Sequence, residues 1–284
     1  MLGWADVGLS AAQVSFVEQR LPGARLVRDL SWGLFDNHVA EVLAHGATFV
    51  VKAGGPANHH IRREILAHES WTAELAGRGL TSRMVAADRE QGVLVLEYLP
   101  GELVEGMPAE HHPDTYEQAG RLLRAFHAQR SEPSDDHEAR ETARSLRSLD
   151  GEHRIDAASV AEARSVLERD TPRPVVLVPT HGDWQPRNWL VDHGVVRVID
   201  FGRFGFRPAS ADLVRLDSKQ WAGHPELADA FFAGYGTDPR EPDLWRIARL
   251  REAIGTAVWA YEVGDERFEE HGHRMLAEAL PRFR

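Results

Sequence analysis

Two hydrophobic periods run along this chain, and the change from one to the other divides it. Between residues 25 and 99, short runs of alternating or continuous apolar residues predict strands over 25–31, 37–44, 47–53, 83–88 and 93–99. His45-Gly46 supplies a tight hairpin between the second and third of these. One helical pattern precedes these strands and another interrupts them. One starts at the N-cap Ser10 and runs to about Arg20, ended by Leu21-Pro22-Gly23; the other runs long, over 58–76. After Pro100-Gly101 the 3.6-residue period dominates. It covers 116–129, with Leu122, Leu123 and Phe126 on one stripe, then 140–149 and 157–169. An apolar run over 175–178 and a hairpin of 189–191 with 195–199 across His193-Gly194 interrupt it. From Ala209 the pattern is helical to the end, with breaks at Gly223, 236–239 and Gly264-Asp265. The expectation is an α+β fold of two lobes. Residues 1–98 form a mainly antiparallel β lobe with one long helix, and residues 99–284 a mainly helical lobe. A cleft between such lobes is a common place for a ligand.

Composition narrows the class. At 284 residues, 43% hydrophobic and 27% charged, the chain is globular rather than disordered. It contains no cysteine, which excludes disulfides and thiolate-bound metals. No secretory signal pattern or membrane-length apolar run is present, so the expected location is cytoplasmic. The net charge of −11 argues against nucleic acid as a partner and favours a cationic small molecule. Of the 33 basic residues only Lys52 and Lys219 are lysines. A chain that uses arginine almost everywhere places Lys52 where a compact ammonium is needed.

The chemistry concentrates in His181-Gly182-Asp183-Trp184-Gln185-Pro186-Arg187-Asn188, followed by Ile199-Asp200-Phe201-Gly202-Arg203. An Asp, an Asn five residues later and a second Asp beyond a short hairpin can provide a base and two metal ligands. Two carboxylates beside a triphosphate repel each other, by roughly 4 kcal/mol per unit-charge pair at about 4 Å and an effective dielectric near 20. A divalent ion must offset this, and an all-oxygen ligand set selects Mg²⁺. Lys52 ends an apolar strand and can reach nucleotide α- and β-phosphates if a helix carboxylate fixes it. Glu64 is the first choice for that partner and Glu69 the reserve. Ser31 and Gly33 lie in a loop that could cover phosphates with backbone N–H groups. The segment around Glu97 and Leu99 offers a carbonyl and an amide to an adenine edge.

These residues, in this order, resemble the aminoglycoside phosphotransferase family of the protein-kinase-like superfamily. The likeness spans nearly the whole chain. It implies a protein-kinase-like fold, with Asp183 as catalytic base, Asn188 and Asp200 as Mg²⁺ ligands, and Lys52 with Glu64 positioning ATP or GTP. It further implies that His181 and the buried Asp212 support the catalytic loop. Phe206-Arg207-Pro208 stands where many members carry Gly-Asp-Pro. The implied reaction is transfer of the nucleotide γ-phosphate to a hydroxyl of a small molecule, foremost an aminoglycoside or related antibiotic. Carboxylates of the C-terminal helices, Glu262, Asp265 and Glu266, are the acceptor-site candidates.

Two other readings compete. The acceptor could be a metabolite of the choline, homoserine, fructosamine or sugar type. A non-catalytic nucleotide-binding regulator would require a lost base or metal ligand, and none is lost. The paired histidines His59-His60 and His111-His112, and the Glu269-Glu270-His271-Gly272-His273 run, lack metal-site spacing and read as solvated positions. Trp221, Trp245 and Trp259 read as core. A monomer or homodimer is expected.

Overall fold

The computed structural model describes residues 3–31 and 37–284. The chain folds into two units. The first comprises residues 1–129, 181–205 and 226–236; the second comprises 130–180, 206–225 and 237–284. No single cut at residues 98 and 99 separates them, because the segment from His181 to Gly205 groups with the N-terminal sheet.

In the first unit, α1 (Ala11–Arg20) precedes β1 (Arg25–Asp29), β2 (Asn37–Ala44) and β3 (Ala47–Gly54). Then come α2 (His59–Ser70), α3 (Ala73–Gly77), β4 (Met84–Asp88) and β5 (Val93–Glu97). The five strands form an antiparallel sheet in the order β1-β2-β3-β5-β4. The two-residue period of each strand sorts its side chains between two helices. Val51, Ala53, Val93 and Val95 join Phe16 and Val17 of α1 in one cluster, while Leu94 and Leu96 join Ile61 and Ile65 of α2 in another. Covered on both faces, β5 reads as the unbroken apolar run Val93-Leu94-Val95-Leu96. Lys52, between Val51 and Ala53, falls on the α2 side.

Local signals set the ends of these elements. A capping box between Ser10 and Gln13 starts α1, and the Gln13 amide also donates to Gly54 O at 3.0 Å and Gln91 O at 2.8 Å. The β2–β3 turn places His45 and Gly46 at φ 51° and 77°, the left-handed pair a two-residue hairpin requires. The long helix expected over 58–76 is divided. α2 stops at Ser70, Thr72 bonds back to His68 through its hydroxyl at 3.1 Å, and α3 restarts at Ala73. Ser, Trp and Thr in sequence are weak helix formers, and Trp71 stacks on Phe204 instead.

The rest of this unit is β6 (Glu102–Leu103), α4 (Pro113–His127), β9 (Trp189–Asp192), β10 (Val195–Val198) and α8 (Pro225–Tyr235). Strands β10-β9-β6 form a small sheet, and the β9–β10 turn repeats the left-handed pair at His193 and Gly194, φ 48° and 79°. α4 crosses α8 closely: a Cβ on Gly234 would lie 1.9 Å from Glu117 O.

The second unit contains β7 (Glu132–Ser134), α5 (His137–Ser148), α6 (Ala157–Arg169), β8 (Val175–Thr180), β11 (Gly205–Arg207), α7 (Val214–Ser218), α9 (Pro242–Val263) and α10 (Glu266–Ala279). Its three strands pair as β11-β8-β7. Its core packs Ala163 and Leu167 of α6 against Leu250, Ile254 and Ala257 of α9 and Leu276 of α10. Of the three tryptophans expected in the core, Trp221 is buried, whereas Trp245 and Trp259 are half-buried. No helix among the described residues is long and apolar enough to cross a membrane.

Candidate active site

Lys52, Glu64, Asp183, Asn188 and Asp200 all belong to the first unit. Ile61, Glu64, Ile65 and His68 fall at i, i+3, i+4 and i+7 of α2, one stripe of a helix, and all four are buried. That stripe faces the sheet, so Glu64 meets Lys52. The ammonium lies 2.8 and 2.9 Å from the two Glu64 oxygens and 3.4 Å from Asp200 Oδ1. Burial alone would depress the Lys52 pKa, but the charges of Asp200 and Glu64 outweigh it and raise the pKa above the ordinary lysine value. Burial pushes the Glu64 carboxyl above its ordinary range despite the lysine. Burial opposes ionisation of Asp200 as well, yet the Lys52 charge holds that carboxyl below its usual value; the nearby Asp183 charge acts against this. Glu69, the reserve partner, is exposed and pairs with Arg89 instead.

Phe201 anchors the segment that carries Asp200. Its ring is fully buried against His68, Phe126 and His181, at centroid distances of 5.6, 5.4 and 4.8 Å. Burial, then the Lys52 charge, takes the His68 pKa down to about 3, so the imidazole packs there uncharged. Asp200 has φ 65°, a left-handed backbone that aspartate tolerates better than most residues. Its side chain is 45% exposed while Lys52 and Glu64 are 11% and 3% exposed. The group therefore opens to solvent at Asp200.

His181 joins the loop to that segment. Its Nε2 donates to Ile199 O at 3.0 Å, leaving Nδ1 to accept from Asp183 N–H at 3.2 Å. The Asn188 backbone adds a second tie, its carbonyl accepting from Ile199 N–H at 3.0 Å. The Asp183 side chain is 5% exposed. Gln185 Nε2 donates to its Oδ1. Its Oδ2 accepts from Asn188 Nδ2 at 3.0 Å and from the Nε and Nη2 of Arg187. Asn188 Nδ2 also donates to Asp183 O at 2.8 Å, which turns the Asn188 amide nitrogen towards the loop and its Oδ1 away from it. Asn188 Oδ1 and the open Asp200 carboxylate are oxygen donors of the kind that could hold Mg²⁺.

The remaining expected positions lie in other segments. The Ser31 hydroxyl accepts from Val39 N–H at 2.9 Å and so belongs to the β1–β2 connection. Gly33 lies outside the described residues. β5 ends at Glu97, whose N–H donates to Arg83 O at 2.9 Å, and Leu99 is half-buried just beyond. Asp212 is buried in the turn Ala209–Leu213 of the second unit. There too, Glu262 is exposed, Asp265 caps α10 by accepting from Phe268 N–H at 3.0 Å, and Glu266 lines a shallow depression with Arg154, Glu269, Glu270 and His273. Glu269 departs from an exposed acidic face: it is 5% exposed and pairs with Arg154 at 2.8 Å.

Sequence reasoning missed three residues here, Gln185, Arg187 and His60. His60 is not a solvated histidine. It is half-buried and its Nδ1 donates to Gly202 O at 3.0 Å, linking α2 to the Asp200 segment. The available signal for Gln185 and Arg187 was their position two and four residues after Asp183. In a chain with so many arginines that signal is faint.

Comparison with known proteins bears on the family and the fold. Residues 27–245 match the phosphotransferase enzyme family. An aminoglycoside 3'-phosphotransferase of Streptomyces fradiae is 32% identical over 171 residues, which cover 53% of this chain and 63% of that relative's length. Among solved structures, a mutant of aminoglycoside phosphotransferase APH(4)-Ia in complex with ADP and hygromycin B superimposes with a TM-score of 0.70. The identity is 14%, over 96% of this chain and 98% of that one. Choline kinase LicA of Streptococcus pneumoniae superimposes with a TM-score of 0.67 at 13% identity, over 95% and 99%. These neighbours give the protein-kinase-like phosphotransferase fold. With the family match covering most of its length, the chain belongs to the phosphotransferase enzyme family.

Proposed function

We propose that this protein transfers the γ-phosphate of ATP or GTP to a hydroxyl of a small molecule, with an aminoglycoside or related antibiotic as acceptor. The observation that carries this reading is Lys52 bonded to both Glu64 and Asp200 in the same unit as the Asp183–Asn188 loop. Lys52, locked by Glu64, takes the α- and β-phosphate oxygens of the nucleotide. Asn188 and Asp200 would hold Mg²⁺, which neutralises charge across the β- and γ-phosphates. Asp183 accepts the proton of the acceptor hydroxyl, and its burial keeps competing water away. Most of the catalysis then comes from positioning and charge. The Streptomyces fradiae relative supports an aminoglycoside acceptor. So does the acidic character of the chain, and Glu262, Asp265 and Glu266 are the acceptor carboxylates under this reading. The fold shared with a choline kinase supports the second reading, a metabolite acceptor.

The test is nucleotide consumption by purified protein with Mg²⁺, against a panel of aminoglycosides and a panel of choline, homoserine, fructosamines and sugars. Acceleration by an aminoglycoside is expected, with Asp183→Ala lowering turnover by about 10²–10⁴-fold. Acceleration by metabolites alone would remove the antibiotic acceptor. Turnover of the alanine variant within about tenfold of the parent would remove Asp183 from its role.

A further inference from the structure

The four donors around Asp183 do not act on its two oxygens alike. Trp184, 1% exposed, and the turn Pro186–Asn188 fix the loop backbone, and Gln185, Arg187 and Asn188 turn back on the carboxylate that precedes them. The guanidinium fork and the Asn188 amide all converge on Oδ2, with Arg187 Nε at 3.2 Å and Asn188 Nδ2 at 3.0 Å. Oδ1 receives the neutral Gln185 amide. Arg187 is 31% exposed and the carboxylate 5%, so the guanidinium reaches from solvent onto an otherwise enclosed base. Rotation of the carboxylate about its Cβ–Cγ bond would break two charge-assisted bonds from the rigid guanidinium at once, where a flexible lysine ammonium would supply one.

We propose that Arg187 is a positioning residue for the transfer reaction: it holds Oδ2 of Asp183 so that Oδ1 is presented to the acceptor hydroxyl. This rests on the reading of Asp183 as the base. In the step it serves, the acceptor oxygen bonds to the γ-phosphorus while the bond from that phosphorus to the β-bridging oxygen breaks. The hydroxyl proton passes to Oδ1, and the electron pair leaves with the nucleoside diphosphate. A base displaced by about 1 Å costs on the order of 10²-fold in rate. Arg187 therefore contributes to kcat and not to nucleotide affinity.

The experiment compares the parent, Arg187→Ala, Arg187→Lys, Asp183→Ala and the double alanine variant in single-turnover phosphoryl transfer, with nucleotide affinity and thermal midpoint measured for each. Arg187→Ala is expected to slow transfer by about 30–100-fold while nucleotide affinity changes by less than about threefold. Arg187→Lys is expected to recover only part of the loss. Adding Arg187→Ala to Asp183→Ala should change the residual rate by less than about twofold, because a positioning residue has nothing left to position. The proposal is overturned if Arg187→Ala transfers within about threefold of the parent. It is equally overturned if it slows the Asp183→Ala background as much as the parent, or if lysine restores full transfer. Should Arg187→Ala fail to fold, the lysine variant decides alone, a parent-like rate counting against the proposal and a partial rate for it. If Asp183→Ala itself keeps near-parent transfer, the base assignment fails first, an outcome separate from a failure at Arg187.

Discussion

Each unit buries an ion pair between a helix and a neighbouring element, and the two pairs are built differently. In the second unit Arg251 of α9 reaches α5. Its Nη1 donates to Glu138 Oε2 at 2.7 Å, and its Nη2 to Thr142 Oγ1 at 2.6 Å and Glu138 O at 3.2 Å. Both side chains are nearly sealed, 10% and 6% exposed. In the first unit Lys52 and Glu64 are as deeply enclosed, but the lysine's other carboxylate, Asp200, is 45% exposed and sits on a left-handed residue. The sealed pair bonds through both terminal nitrogens of Arg251 to α5 and so holds two helices together, although Arg251 Nε is buried without a partner. The other leaves a carboxylate open beside a fixed cation, the place that the proposed function gives to a metal and phosphate. Buried charge alone does not mark a site; the open member of the group does.

Breaking the sealed pair is the largest test of that contrast on stability. Arg251→Met strands the Glu138 carboxylate and is expected to cost about 3–5 kcal/mol in chemical denaturation. Turnover per folded molecule at low temperature should stay within about twofold of the parent. A loss of turnover with unchanged stability would reverse the roles assigned to the two groups.

A smaller effect comes from His68, which packs on Phe201 beside the open group. Its folded pKa, down to about 3, lies below the ordinary histidine value of 6.5, so the unfolded chain binds the extra proton. Stability from this group is therefore fully present above about pH 6.5 and falls as pH drops towards 3, by about 2 kcal/mol between pH 8 and pH 5. Denaturation curves of parent and His68→Gln at both pH values measure it. The glutamine variant should lose less stability on acidification. Equal losses in both proteins would mean that His68 does not titrate as its burial requires.

Much of this was legible in the chain because the deciding signals are local. The His45-Gly46 and His193-Gly194 turns, the Ser10 cap and the apolar stripes of α4 and α6 follow from near neighbours, and each element stands within a few residues of where the pattern put it. The helix over 58–76 was read too long because its apolar spacing persists past Thr72, whose N–H bonds back to Ala67 O, out of the helical register, as α2 ends. Strands β6, β7 and β11 span two or three residues, too short for any period to show. Within the candidate site, residue type and order pointed to Lys52, Glu64, Asp183, Asn188 and Asp200, and the structure sets Lys52 against Glu64 and Asp200, and Asn188 against Asp183. Gln185, Arg187 and His60 escaped because their roles depend on where a side chain turns, which spacing does not encode. The acidic C-terminal stretch misled in one respect. Glu269 looks like its exposed neighbours in sequence, yet it is buried against Arg154.

The central claim is that the open carboxylate of Asp200, set against Lys52, gathers a metal–nucleotide complex. Calorimetric titration of ATP into the parent and into Asp200→Asn, each with Mg²⁺ and with EDTA, tests it most directly. Mg²⁺ is expected to tighten nucleotide binding by at least about tenfold in the parent and to have almost no effect in the variant, each titrated well below its own melting temperature. Binding of Mg²⁺–ATP by Asp200→Asn as tight as that of the parent would contradict the account.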